Sequence, residues 1–394
     1  MNNHWKYEKI GDVCTVERGG SPRPIDMFIT DDENGINWIK IGDTTDSMYI
    51  TETAQKIIPE GMKKSRYVKP GDFLLSNSMS FGRPYILAID GCIHDGWLVL
   101  RDDKELFDKR FLYYYLSSKT TYEKFKSMAV GGVVNNLNSE MVRGVNVPVP
   151  NKEEQADIAD LLDRVKKVID ERKEEIDLLD NLIKARFVEM FGDPIENPRN
   201  LNHATLDELS ELITKGASPS WQGFSYTDDS SQTLFVTSEN VREGYIDLSS
   251  PKYIEDGFND KQKRSVLRKG DFLINIVGAS IGRAAQFNLD CKANMNQAAA
   301  LVRISDQRIR DKYLTIYLNS EKAQQMYDSM KSDTGRANLS LQDIANLKIL
   351  LPPVEEQVEF ENFVEQVDKS KVAVQKALEE TQMLFDSLMQ EYFG

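Results

Sequence analysis

The chain states one plan twice. Residues 5–192 and 204–394 each run through a mixed globular segment and then a long charged helix that ends in Phe-Gly. The closing segments align without a gap. Pro150-Asn151-Lys152-Glu153-Glu154-Gln155 answers Pro352-Pro353-Val354-Glu355-Glu356-Gln357, and the same offset carries Phe191-Gly192 onto Phe393-Gly394. Inside the globular parts, Gly71-Asp72-Phe73-Leu74 answers Gly270-Asp271-Phe272-Leu273, and Phe81-Gly82-Arg83 answers Ile281-Gly282-Arg283. A period of about 200 residues is far longer than the repeat of a solenoid, so this is an internal duplication. It predicts a pseudo-twofold molecule with two similar, non-identical binding heads that can read two different things.

A chain of 394 residues holds two or three domains, and 40% hydrophobic residues can fill a core in each head. No window approaches the roughly 18 consecutive apolar residues of a membrane span. The polar start, Trp5-Lys6 and the residues before it, does not read as a signal peptide. Cys14, Cys92 and Cys291 are an odd, widely spaced set, which points to reduced thiols in a cytoplasmic protein. The net charge of −14 argues at first against nucleic acid. Its distribution removes that objection. Residues 1–150 hold 19 Lys and Arg against 20 Asp and Glu, and residues 193–353 hold 19 against 21. The helical segments 151–192 and 354–394 hold 8 against 12 and 3 against 10, so most of the excess sits on the helices. Near-neutral heads can carry a basic face.

Residues 153–191 read as one helix with a heptad seam: Ile158, Leu162, Val165, Ile169, Ile176, Leu179, Ile183 and Met190, interrupted by Arg172 and Arg186. The second copy offers Phe360, Val364, Val367, Val374, Leu378, Phe385, Leu388 and Tyr392, with Val374 and Leu388 in the places of the arginines. Each helix would run about 58 Å, and the two are expected to pack antiparallel. Gly192 followed by Pro194 ends the first helix. Strands are expected at 37–41, 73–75, 98–100, 234–237 and 272–274, helices at 108–127 and 309–331, and a type II turn at Pro70-Gly71. The fold class is α+β, with a first head at 1–150, a spacer helix at 151–192, a second head at 193–352 and a second spacer helix at 353–394.

No catalytic centre is visible. His4, His94 and His203 lie far apart, no Cys or His pair has zinc-ligand spacing, and no phosphate-binding or nucleophile-elbow motif is present. The remaining features suit a nucleic-acid reader. Lys63, Lys64 and Arg66 in one head and Lys261, Lys263 and Arg264 in the other can neutralise phosphates, or can be a solvated face. The loop Ser76–Arg83, with Ser78, Ser80 and Arg83, answers Val277–Arg283, with Ser280 and Arg283. Arginine forks suit guanine or phosphate, and a β-turn with a surface arginine is the plain alternative. His94-Asp95 stands where Asn296-Gln297 stands, and Asn and Gln are bidentate readers of adenine. A last polar loop, Gly131–Asn136, answers Thr334–Asn338 and brings Arg336 and Asn338. The turns Gly20-Ser21-Pro22 and Ala217-Ser218-Pro219 read as turn chemistry alone.

Taken together, the strand running into Glu-Glu-Gln, the Met190-Phe191-Gly192-Asp193-Pro194 helix end and the paired Gly-Asp-Phe and Gly-Arg motifs resemble the specificity subunit of Type I restriction-modification systems. The resemblance covers the whole chain. It implies two target-recognition domains joined by two antiparallel helices, each domain reading one half of a split, asymmetric double-stranded DNA sequence. It implies two methylation subunits docked on the helices, with restriction subunits joining them. S-adenosylmethionine, ATP and Mg would act on those partners, with no cofactor on this chain, which would be non-catalytic. A coiled-coil adaptor for proteins and a fused restriction-methylation enzyme are the competing readings.

Overall fold

A computed structural model of the chain describes residues 5–77, 82–129, 136–330 and 338–394. They form two compact units, Met1–Lys173 with Lys376–Gly394, and Glu174–Gln375. The division falls inside both long helices, so each unit holds one head and part of each helix. Among the described residues no helix is long and apolar enough to cross a membrane.

The first head is built on two five-stranded sheets and a closing strand pair, Tyr7–Lys9 with Asn146–Pro148, which Asn202–Thr205 with Lys348–Leu351 repeats in the second head. One runs Thr15–Arg18, Trp97–Arg101, Phe73–Ser76, Pro84–Leu87, antiparallel, with Tyr49–Ile50 added parallel at its edge. The other runs Ile29–Thr30, Lys56–Ile57, Ile36–Ile39, Gly91–Ile93, Arg66–Val68, and Gly91–Ile93 lies parallel to Ile36–Ile39. The apolar runs at 73–75 and 97–100 are continuous because the first sheet is buried on both faces. Phe73, Leu75, Leu98 and Leu100 face the helices, while Leu74, Trp97 and Val99 join the cluster formed with residues of the other sheet. The second head repeats this order with Ser210–Lys215, Ala299–Ile304, Phe272–Asn275, Ala284–Gln286 in one sheet. Tyr226–Thr227, Tyr253–Ile254, Thr233–Val236 and Ala293–Met295 form the other. Among the described residues each of the second head's two sheets has four strands, one fewer than its counterpart in the first head. In both heads the chain leaves the second sheet and enters the first within three residues, 94–96 and 296–298.

The Gly-Asp-Phe motifs are structural in both copies. Gly71 and Gly270 take positive φ (89° and 99°), and the turns close through Asp72 N–H to Lys69 O and Asp271 N–H to Arg268 O, each 3.0 Å. The aspartates then hold an arginine of the neighbouring strand. Arg303 grips Asp271 at 2.7 Å through two nitrogens and donates to Val266 O, while Arg101 reaches Asp72 at 3.3 Å and donates to Tyr67 O.

The expected helical runs each break in two. Lys109–Ser117 gives way to Lys119–Ala129, and Asp311–Leu318 to Glu321–Met330. A serine starts each second helix: Ser118 accepts from Thr121 N–H and Ser320 from Ala323 N–H.

The spacer helices run Lys152–Phe191 and Val354–Phe393, forty residues each, with no internal Pro or Gly. Asn151 caps the first by accepting from Glu154 N–H at 2.9 Å. Gly192, at φ 80°, ends it by donating to Val188 O, as its place after the helix requires. Within the second unit the helices run antiparallel, with Arg186 on Glu359 at 2.9 Å and Asp180 on Lys371. Arg186 thus spans the seam it interrupts, its guanidinium 5.8 Å from the Phe363 ring.

The glutamine of each Glu-Glu-Gln motif is fully buried and ties helix to head. Gln155 donates to Leu106 O and Pro150 O and accepts from Asp108 N–H, at 3.0, 2.8 and 2.8 Å. Gln357 does the same with Arg308 O, Pro352 O and Arg310 N–H, at 2.9, 2.8 and 2.8 Å. Leucine at either position would strand three backbone groups, each costing about 1–3 kcal/mol when buried unpaired. Gln155→Leu and Gln357→Leu are therefore each expected to destabilise by about 3 kcal/mol or more, read as a lowered urea midpoint. An unchanged midpoint would show that the buried glutamine does not carry this junction.

Candidate nucleic-acid interface

Matched backbone bonds lace several loops together around the sheet crossover. In the first head Gly19 runs against the His94 carbonyl with no room for a Cβ, and Gly20 N–H donates to Ile93 O at 3.2 Å. The Ser65 hydroxyl reaches the same carbonyl at 3.0 Å, which places the basic turn beside the crossover. Asn77 N–H donates to Gly96 O and receives Leu137 N–H on its own carbonyl, at 2.9 and 3.0 Å. The second head repeats the pattern. Gly216 packs on the Met295 carbonyl, Ser265 donates to Asn294, Ile276 N–H to Ala298 O, and Leu339 N–H to Ile276 O. Gly82 and Gly282 turn the Gly-Arg loops with φ 74° and 90°.

On this frame the first head carries a charged cluster. His94 accepts Gly96 N–H on Nδ1 at 2.9 Å, so Nε2 bears the proton and faces Asp95 at 3.0 Å. Asp95 also receives the Ser21 hydroxyl at 2.8 Å and Arg23 at 3.5 Å, and its backbone carbonyl takes Arg18 and Asn77. Burial alone would raise the Asp95 carboxyl, but Ser21, His94, a backbone bond and Arg23 together hold it below its ordinary 3.8. Arg83 is steered by Asp46 at 3.4 Å and lies 5.3 Å from the Tyr85 ring. Arg66 pairs with Glu17 at 3.2 Å, Lys64 sits 5.0 Å from the Phe28 ring, and Lys63 is exposed.

The second head has the same frame with a different surface. Asn296 turns its side-chain oxygen inward to Ala298 N–H at 3.1 Å, and Gln297 is exposed. Ser280 accepts from Asn275 at 3.1 Å and is a support of the loop. Arg283 is half-buried, and its guanidinium has no polar partner among the described residues. Lys261 donates to Gln222 O at 2.9 Å and lies 5.2 Å from the Phe224 ring, while Lys263 and Arg264 are exposed. Asn338 is exposed and bridges to Val277 at the start of the Gly-Arg loop. Ser78, Ser80 and Arg336 lie outside the described residues.

A family model described as the Type I restriction modification DNA specificity domain matches residues 2–180 and again 198–381. The chain belongs to this family. It is similar to the Type I restriction enzyme EcoBI specificity subunit of Escherichia coli, 24% identical over 418 residues that cover 100% of this chain and 86% of that protein. It is also similar to the MjaVIII specificity subunit of Methanocaldococcus jannaschii, 20% identical over 397 residues, covering 95% and 90%. The fold matches a chain solved for the complex assembly and conformational transition of the type I R-M system, with TM-score 0.65, 20% identity and 100% and 98% coverage. It matches the Type-I restriction-modification system S subunit from M. genitalium with TM-score 0.53, 15% identity and 100% and 97% coverage. Each family match spans one head and most of the helix that follows it.

In this specificity chain the sequence alone missed Arg18, Ser21, Arg23 and Asp95 as one cluster. Ser21 meets Asp95 across 74 positions, and Ser21 reads locally as a turn residue. The signal available was the mismatch of Asp95 with Gln297 in an otherwise matched crossover.

A depressed carboxylate contributes stability above its unfolded pKa and loses it as pH falls through the folded value. For Asp95 that loss falls below pH 3.8. Ser21→Ala removes one of the bonds that holds it down, so the Asp95 titration, followed by carboxyl NMR, is expected to move up toward 3.8. An unmoved midpoint would mean that the hydroxyl does not hold the carboxylate.

Proposed function

We propose that this chain is the DNA-recognition subunit of a Type I restriction-modification complex. Each head reads one half of a bipartite, asymmetric double-stranded sequence. One observation carries the reading: the same loop frame is built twice by matched hydrogen bonds and presents different side chains at matched places. His94 and Asp95 stand where Asn296 and Gln297 stand. A frame that only needed to be stable would have no use for that divergence, whereas two readouts require it. Cations surround both crossovers, so phosphate contacts can position each head while the divergent side chains and loop arginines discriminate bases.

The spacer helices set the number of unread base pairs and dock two methylation subunits. Support for docking comes from apolar side chains left in solvent on them: Leu178, Leu182, Val188 and Val372 are all exposed. Methylation and restriction chemistry, with S-adenosylmethionine, ATP and Mg, belongs to the partner subunits, and the chain works on DNA in the cytoplasm.

Methylome sequencing of a host carrying the chain with its cognate methylation subunit tests this. The expected result is one methylated motif made of two unlike half-sequences around a fixed gap. A continuous motif, or none, would contradict it.

The loop arginines give a finer expectation. Among the described residues the Arg283 guanidinium has no polar partner, so Arg283→Ala is expected to weaken DNA binding by about 1–3 kcal/mol and to relax specificity in the second half-sequence only. Methylation rates on duplexes altered in one half at a time provide the measurement. Equal loss on all sequences would make it a phosphate contact, and no loss would remove it from the interface.

A further inference from the structure

Among the described large apolar side chains, Trp221 is the most exposed, at 88%. Its exposure is enforced. The segment before it leaves the strand Ser210–Lys215 through Gly216, pressed on the carbonyls of Met295 and Asn296. Ala217 and Phe224 then pack on either side of it into a small core with Phe235, Ile254 and Phe258. Pro219 opens the short helix Pro219–Gln222, and Gly223 closes it at φ 82°, donating to Ser220 O, while Phe224 N–H returns to Pro219 O at 3.0 Å. Trp221 is therefore held outward on a closed turn.

Its surroundings select the occupant. Lys261 donates to the carbonyl of Gln222, the residue after Trp221, and lies over Phe224, with Lys263 and Arg264 exposed close along the chain. A large aromatic face beside cations is a surface for nucleic acid, where stacking on bases combines with phosphate neutralisation. The first head repeats the device with another side chain. Phe28 anchors the matching segment under Lys64 at 5.0 Å, and the neighbouring Met27 is 72% exposed. Apolar side chains of this size can insert at a base step and kink the duplex.

We infer that Trp221 is a DNA-contacting residue of the second head, its ring stacking at a base step of the second half-sequence, with Met27 in the corresponding role in the first. This rests on the proposed DNA-recognition function. The chain has four tryptophans, and Trp5, Trp38 and Trp97 are buried, so Trp221 is a built-in reporter. The full chain is titrated with a duplex carrying the mapped motif, following both tryptophan emission and duplex anisotropy. The iodide-accessible emission, absent in Trp221→Phe, is expected to be quenched or shielded on binding. Trp221→Ala is expected to weaken binding on the order of ten-fold, and Trp221→Phe less. If the chain binds the duplex but Trp221 stays open to iodide and Trp221→Ala binds equally well, the inference fails while the function stands. If Trp221→Ala instead weakens only assembly with the methylation subunit, the residue belongs to a protein contact and the inference is overturned. A chain that binds no duplex even at low salt overturns the proposed function, and this inference with it.

Discussion

The core of each head is closed by the end of a long helix that the head itself does not begin. In the first unit Phe393, the last residue of the second spacer helix, lies 5.4 Å from Phe111 and 5.9 Å from Tyr115. In the second unit Phe191 lies 4.9 Å from Tyr313 and 5.4 Å from Phe360. Burying a phenylalanine side chain contributes about 1.5–3 kcal/mol, and such aromatic pairs add to that. The same tyrosines then bind the strand that leads into the spacer: Tyr115 donates to Asn146 O and Tyr313 to Leu350 O. Helix, head helix and closing strand are thus one packed joint, built twice. The loops of the candidate site stand on sheets fixed to that joint.

This joint was the most legible part of the sequence, because its residues cannot drift. Gln155 and Gln357 each satisfy three backbone groups, and Gly192 takes a left-handed conformation that most side chains resist. The duplicated motifs are duplicated because they are structural. The Asp of Gly-Asp-Phe, which has the look of a functional carboxylate, is a tether for Arg101 or Arg303. The break inside each head helix was less legible. A periodic apolar stripe continues through Ser118, and only its bond to Thr121 shows that it starts a second helix.

The loops of the candidate site could be listed from the sequence, but their side-chain partners could not. Among the described residues, the crossovers 94–96 and 296–298 bond to Asn77 and Ile276, where the Gly-Arg loops begin. Which side chains face outward depends on partners distant in sequence. Asn296 spends its carbonyl oxygen on its own loop, Ser280 supports Asn275, and Arg83 is steered by Asp46. Nothing in the sequence marks Trp221 as exposed; the packing of Ala217 and Phe224 on either side of it does.

The central claim is that one frame presents two different readouts, and exchanging heads tests it directly. The register of the closing strand pairs, Tyr7 with Pro148 and His203 with Leu350, fixes the junctions. Residues 203–350 are replaced by a second copy of residues 7–148, leaving both spacer helices in place, and the methylated motif is mapped in a host with the cognate methylation subunit. The account predicts that the second half-sequence disappears and the motif becomes an inverted repeat of the first. Methylation that persists at the original asymmetric sequence would contradict it.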